Sequence, residues 1–311
     1  MTIKSFEPSV IYIVGSGRSG STMLDVCLSS NSNITGAGEV HRLSLNPNDR
    51  LCGCGEIINK CAFWSKVISD YSEENTESWH EKNPVTKVVT RYRLLGFRIP
   101  RFLDFFTIIA FPFAFRLYKK IFRSSHTKNF KFISNSFRLY DSIAKVSGKA
   151  FVVDSSKNIF RAKALYLEKP DRTFIVHLVR DGRAIVESAK RRVGASIEST
   201  SKEWRAINKR IDIALKNVSK QRKILVRYED FCLRPQETLA RINSFIGNEE
   251  YSFNLPEIEN SEHHQIPGNP LLMDKVSKVR LDEKWRSELS QSELDEFRRF
   301  AGTQNSKYGY D

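Results

Sequence analysis

Residues Ile11–Ser30, IYIVGSGRSGSTMLDVCLSS, constrain the fold more than any other stretch of the chain. An apolar run reads as a buried strand, a glycine-rich turn follows, and the remainder reads as a helix. That order aims backbone N–H groups and a helix N-terminus at one point, which suits an anion. Gly15 and Gly20 keep the spacing of the triphosphate pattern G-x-x-x-x-G-K-[ST], but Ser21 stands where that pattern needs lysine. Arg18 sits inside the loop instead. The expected ligand is a phosphate-bearing molecule other than a magnesium triphosphate, cradled by Gly17, Arg18, Ser19, Gly20, Ser21 and Thr22.

Strand and helix patterns alternate along the rest of the chain, which predicts an α/β fold. The sheet is expected to be parallel and flanked by helices, like that of the P-loop NTPases. Strands are predicted at Val10–Val14, Asn33–Ala37, Ala150–Val153, Thr173–Val179 and Lys223–Val226, with a turn at Gly36–Gly38. Helices are predicted at Ser19–Ser30, Ile159–Leu167, Arg183–Arg192, Ser201–Ser219, Pro235–Ile246 and Ser290–Ala301. Residues 61–147 read as mainly helical, an insert or cap on a single domain spanning residues 1–311.

The net charge of +14 favours anionic partners. The five cysteines, an odd number, do not form a disulfide framework pattern. No secretory signal is visible, so a cytoplasmic, reducing compartment is expected. The most apolar run, Phe102–Tyr118, carries Asp104 and Pro112 between Arg101 and Arg116. A bilayer-spanning helix needs roughly 20 mostly apolar residues. No transmembrane segment is expected, and this run reads as core or as a lid over an acceptor pocket.

A second anion signal lies in Phe174–Arg192, FIVHLVRDGRAIVESAKRR. Arg180 stands at the carboxyl end of an apolar strand, where open parallel sheets bind ligands. Ser188 falls on the next helix, and Arg192 lies one turn further on the same face. Together they suit a second phosphate held by charge-assisted hydrogen bonds.

With these two motifs the chain resembles the PAPS-dependent sulfotransferases. GSGRSGST at Gly15–Thr22 is similar to their 5′-phosphosulfate site, and VRDGRAIVESAKRR at Val179–Arg192 to their 3′-phosphate site. TGAGEVHRL at Thr35–Leu43 resembles the segment in which the carbohydrate and tyrosylprotein branches keep a glutamate base, so the chain looks closer to those than to the cytosolic phenol-type enzymes. The resemblance implies sulfuryl transfer from PAPS, with PAP as product, to a hydroxyl, or an amine, of a small metabolite or glycan. Because the sulfuryl group carries fewer charges than a phosphoryl group, no metal is expected to be required.

The resemblance also implies roles. Glu39 is the candidate base, with a carboxyl pKa raised by an apolar pocket; the other role open to it is a helix N-terminal glutamate stabilised by the dipole. Lys157, in FVVDSSKN, and Arg18 would neutralise the leaving oxygen. Tyr228 is placed against the nucleotide or as a core aromatic capping the sheet. Lys278 and Arg280 would lie over the 3′-phosphate. His264 falls on a loop near the acceptor as a further base candidate, His41 would orient Glu39, and His177 reads as a buried structural residue.

Cys52, Cys54 and Cys61 lie close in LCGCGEIINKCAFW. A structural zinc site needs a fourth ligand, which His41 or His80 would supply. C-x-C is not the common C-x-x-C knuckle, and free thiols in a tight loop are the expectation, with no metal ligands assigned. Two other functions compete: a P-loop kinase or NTPase with Arg18 in place of lysine and a magnesium carboxylate in Phe151–Asp154, and a non-catalytic binder of anionic ligands. Nucleic acid is not an expected partner, because no motif interleaves stacking aromatics with the basic residues.

Overall fold

A computed structural model of the chain describes residues 7–44, 50–73, 93–94, 97–98, 113, 131–249, 263–268 and 279–311. Its centre is a five-stranded sheet of β1 (Ser9–Val14), β2 (Ile34–Gly38), β3 (Phe151–Lys157), β4 (Thr173–Val179) and β5 (Lys223–Arg227). The strand order is β2-β3-β1-β4-β5 and every pairing is parallel. The predicted sheet is thus the observed one. β1 lies centrally, in register with Phe151–Asp154 on one side and Thr173–His177 on the other.

The fully buried run Val10–Val14, β-branched but for Tyr12, explains that central place: both of its faces are covered by helices. Val10, Tyr12 and Val14 face one apolar layer, with Tyr140 and Ile143 of α3 (Lys131–Ser147), Leu165 of α4 (Ile159–Glu168) and Ile211 of α6 (Ile197–Leu215). α2 (Ala62–Glu73) joins this layer through Trp64 and Val67. Ile11 and Ile13 face the other layer, with Leu24 and Leu28 of α1 (Ser21–Ser29) and Leu239 and Ile242 of α8 (Pro235–Ile246). The period of two along the strand therefore sorts successive side chains into two separate cores.

A third apolar cluster joins Val179 to α5 (Gly182–Val193), α9 (Trp285–Glu288) and α10 (Gln291–Ser306). A short helix α7 (Tyr228–Leu233) follows β5 directly. Helix starts follow local chemistry. Asn158 caps α4 by accepting from Phe160 and Arg161 N–H, and Asp181 caps α5 by accepting from Arg183 N–H. Ser290 and Glu293 form a capping box on α10.

Three elements differ from expectation. β2 runs on to Gly38, so the expected turn is a bulge within the strand that ends in Gly38 at φ 72°. α6 starts at Ile197 because the Ser196 side chain caps it, and it stops at Leu215 because Ser219 caps a separate 3₁₀ turn. Within residues 61–147, the described parts are α2, α3 and a minimal antiparallel pairing of Arg93–Leu94 with Phe97–Arg98. The Phe102–Tyr118 run lies outside the described residues apart from Phe113. No described helix is long and apolar enough to cross a membrane.

One polar group is sealed under the sheet. Asp154 of β3 and Arg161 of α4 are both fully buried and face each other at 3.4 Å. Tyr140 Oη donates to Asp154 at 2.6 Å and accepts from Arg161 at 3.1 Å. A carboxylate so committed is not presented to a solvated cation, which removes the expected magnesium ligand of the NTPase reading.

Candidate active site

Five predicted site segments stand at the carboxyl ends of the strands: Gly15–Thr22 after β1, Glu39 after β2, Lys157 on β3, Arg180 after β4 and Tyr228 after β5. The first is the loop between β1 and α1. Gly15 passes so close to β4 that a Cβ there would lie 2.4 Å from the Leu178 carbonyl oxygen. Gly20 is the N-cap of α1 at φ 89°, and a Cβ on it would lie 2.6 Å from the Tyr228 ring. No side chain caps α1. Ser21 and Thr22 open the helix, so its first-turn N–H groups point into the loop. The buried hydroxyls of Ser16 and Ser19 also lack a protein partner. A phosphate-type anion would satisfy such donors.

Arg18 and Lys157 are the non-glycine residues with positive φ among the described residues, at 67° and 66°. Left-handed backbone costs a side-chain-bearing residue about 1–2 kcal/mol. Both positions lie where the chain leaves a central strand, Lys157 as the last residue of β3 and Arg18 in the loop after β1. Lys157 closes β3, and the capping Asn158 follows at once, so the chain turns sharply there.

Lys157 Nζ hydrogen-bonds the Glu39 carboxylate, and lies 3.2 Å from Ser21 Oγ. One ammonium thus links the anion loop to the candidate base. Glu39 is 5% exposed and also pairs with Arg42 Nε, while His41 Nε2 stands 3.9 Å from its Oε2. The expected rise in its pKa is overturned. Burial raises it, but Lys157 and Arg42 outweigh burial and hold the carboxyl below the usual 4.5. The helix N-terminal reading survives only in part: Glu39 immediately precedes the 3₁₀ turn Val40–Ser44, while its carboxylate oxygens go to the two cations.

The peptide carrying Glu39 is held by a distant segment. Glu39 N–H donates to Ile266 O at 2.8 Å, and Ile266 N–H donates to Ala37 O at 3.1 Å. Gly268 packs on the carboxylate so tightly that any Cβ there would overlap it.

The second anion motif adjoins the first. Arg180 Nη1 donates to the Arg18 carbonyl at 3.0 Å, and its guanidinium stacks 4.4 Å above the Tyr228 ring. Tyr228 therefore packs between the loop glycine and Arg180. Arg180 Nη2 donates to the Asp282 carbonyl at 2.9 Å, and the Asp282 carboxylate lies 3.3 Å away. Arg180 Nε is buried without a partner. Ser188 is buried on α5, while Arg192 is exposed at its end. Arg192 and Arg191 lie near enough to depress the Arg18 pKa further, after burial. The two motifs thus adjoin in one region, where Glu187 and Asp282 stand among the arginines. Residues 279–282 cross it, with Tyr228 Oη donating to Arg280 O at 3.0 Å. Lys278 lies outside the described residues.

His177 is buried in β4 against Asn208, and desolvation lowers its pKa to about 4, as suits a structural imidazole. His264 is packed among Cys52, Cys54 and Cys61. Sequence reading missed Arg42, Ile266, Gly268 and Asp282. Only Arg42 left a signal, three residues after Glu39 in one helical turn.

A family model described as "Sulfotransferase family" matches residues 61–252. Among solved structures, the sulfotransferase domain of the Synechococcus PCC 7002 olefin synthase aligns with TM-score 0.52 and 18% identity, covering 100% of this chain and 98% of that one. The sulfotransferase domain from the curacin biosynthetic pathway gives 0.53 and 18%, with 98% of each chain covered. Sulfotransferase STF9 from Mycobacterium avium gives 0.51 and 12%, covering 98% of this chain and 78% of that chain. At these identities the likeness is one of fold. No curated protein matches by sequence.

Proposed function

Because this chain belongs to the sulfotransferase family, we propose that it transfers a sulfuryl group from PAPS to a hydroxyl, or an amine, of a small metabolite or glycan. The observation that carries the reading is the Lys157 ammonium, shared between Ser21 of the anion loop and the Glu39 carboxylate. In this proposal the 5′-phosphosulfate occupies the loop Gly15–Thr22 and the 3′-phosphate lies by Arg180, Ser188 and Arg192. Glu39 removes the acceptor proton as the acceptor oxygen bonds to sulfur. The bond from sulfur to the bridging phosphate oxygen breaks in line. Lys157 and Arg18 stabilise the charge left on that oxygen, and PAP departs. A phosphosulfate bidding for Lys157 also loosens its hold on Glu39, which raises the basicity of the carboxylate as the donor binds.

We further propose that residues 1–311 work as one sulfotransferase domain with an insert at about 61–147, in a cytoplasmic compartment that the odd cysteine count supports. No step in this chemistry draws on a metal.

PAP, without magnesium, is expected to raise the melting temperature by several degrees. At a hundredfold excess over Kd, binding stabilises a folded chain by about 2.7 kcal/mol. ATP with magnesium is expected to leave it unchanged. The reverse pattern in a thermal-shift assay overturns the reading in favour of a nucleotide triphosphatase, and tight PAP binding without turnover of any acceptor favours a non-catalytic binder.

Arg180→Ala is expected to weaken PAP binding roughly 10–100-fold by calorimetry, since a hydrogen bond to a charged group contributes about 1.5–3 kcal/mol. Ser188→Ala is expected to cost roughly tenfold or less, as a neutral donor does. Affinities unchanged in both variants remove the 3′-phosphate from this surface.

A further inference from the structure

We propose that Cys52, Cys54, Cys61 and His264 form a structural zinc site that fastens the segment holding Glu39. The four ligand atoms lie within 4.8 Å of one another. His264 Nδ1 is 3.3 Å from Cys61 Sγ and 3.8 Å from Cys52 Sγ. In a tetrahedron with Zn–S near 2.3 Å and Zn–N near 2.0 Å, sulfur and nitrogen are separated by about 3.5 Å and two sulfurs by about 3.8 Å. The cluster needs only small side-chain adjustments to meet that geometry.

Sequence alone stopped at three thiols, one ligand short. The fourth is neither His41, whose ring stands at Glu39, nor His80, outside the described residues. It is His264, brought across 203 residues of sequence to Cys61. Three thiol sulfurs and an imidazole suit zinc, and four protein ligands leave no open position for catalysis.

The backbone is arranged to present these ligands. Residues 51–57 form a tight knuckle, with Cys52 N–H donating to Glu56 O at 2.7 Å and Gly55 turning at φ 90°. Cys61 immediately precedes α2. His264 is oriented from both sides: its carbonyl accepts from Trp64 Nε1 at 2.7 Å, and its ring stacks on Phe63 at 5.0 Å. Gly53 N–H donates to Gln265 O at 2.9 Å, and a Cβ on Gly53 would lie 2.7 Å from the His263 carbonyl oxygen.

The consequence reaches the active site through two residues. His264 lies two positions before Ile266, whose backbone holds Ala37 and Glu39, and four before Gly268, which packs on the Glu39 carboxylate. Zinc therefore pins the strap that fixes where the base stands, while taking no part in the chemistry.

Elemental analysis and native mass spectrometry of the full chain, purified without chelator under reducing conditions, are expected to give one zinc per chain. Cys61→Ser and His264→Ala are expected to lose it, and Cys232→Ser, outside the cluster, to keep it. Cobalt reconstitution of the wild-type chain is expected to give the visible bands of a tetrahedral thiolate site, a readout that does not depend on the variants folding. Removing the metal is expected to lower the melting temperature and kcat together. A wild-type chain without zinc and without cobalt bands overturns the proposal, as does bound iron or a disulfide among the three cysteines. Metal content is read whether or not the chain transfers sulfuryl groups, so failure of the two proposals is separable.

Discussion

Glu39→Gln is expected to lower kcat by roughly 10²–10⁴-fold, the usual contribution of a positioned general base. PAP affinity is expected to hold or tighten, because the substitution removes a carboxylate that competes with the nucleotide for Lys157. The neutral amide keeps the size of the side chain against Gly268, so the loss is chemical and not steric. The pH profile gives an independent check. Lys157 and Arg42, against the upward push of burial, hold the Glu39 carboxyl below 4.5. Its ionised form is therefore present through the neutral range, and the acid limb of kcat/KM attributable to it falls below pH 4.5, the usual glutamate value. Stability follows the same sign. A carboxyl whose pKa is depressed on folding contributes stability above the unfolded-state pKa, and that stability is lost as pH falls through the folded one. Glu39→Gln is expected to flatten this acid-side loss. An unchanged kcat removes Glu39 from the base role.

Asp154→Ala is expected to destabilise the fold by about 3–5 kcal/mol, measured by urea denaturation, because it leaves Arg161 charged and buried with its carboxylate gone. Arg161 and Asp154 are both 0% exposed, and Tyr140 joins them. The double variant Asp154→Leu/Arg161→Met is expected to recover most of that loss, since buried ion pairs replaced by apolar groups of similar size are often neutral. β3 carries Asp154 in its middle and Lys157 at its end, so the single variant is expected to blur the catalytic geometry as well. A single-variant loss below about 1 kcal/mol means that the pair behaves as an exposed one and overturns the assignment.

How much of this was legible in advance depends on distance along the chain. The Gly15–Thr22 loop was readable because its strand, turn and helix signals are contiguous, and Arg180 because an apolar run ends directly before it. The boundaries of α6 slipped because three serines compete as caps, and only the folded backbone selects Ser196. The direction of the Glu39 pKa shift was misread for a different reason. An apolar pocket was expected to raise it, whereas the main charged partner, Lys157, lies 118 residues away.

The apolar runs determined by themselves which strands exist and at which strand ends the two basic motifs stand. Hydrophobic periodicity encodes a face, however, and not a neighbour. Only the strand order β2-β3-β1-β4-β5 put the end of β3 beside the end of β2, and so Lys157 against Glu39. Only packing laid Asp282 on Arg180, 102 residues apart, and His264 on Cys61. These contacts form between groups whose separation in sequence carries no periodic signal, so they arise when the sheet closes and the strap settles on it.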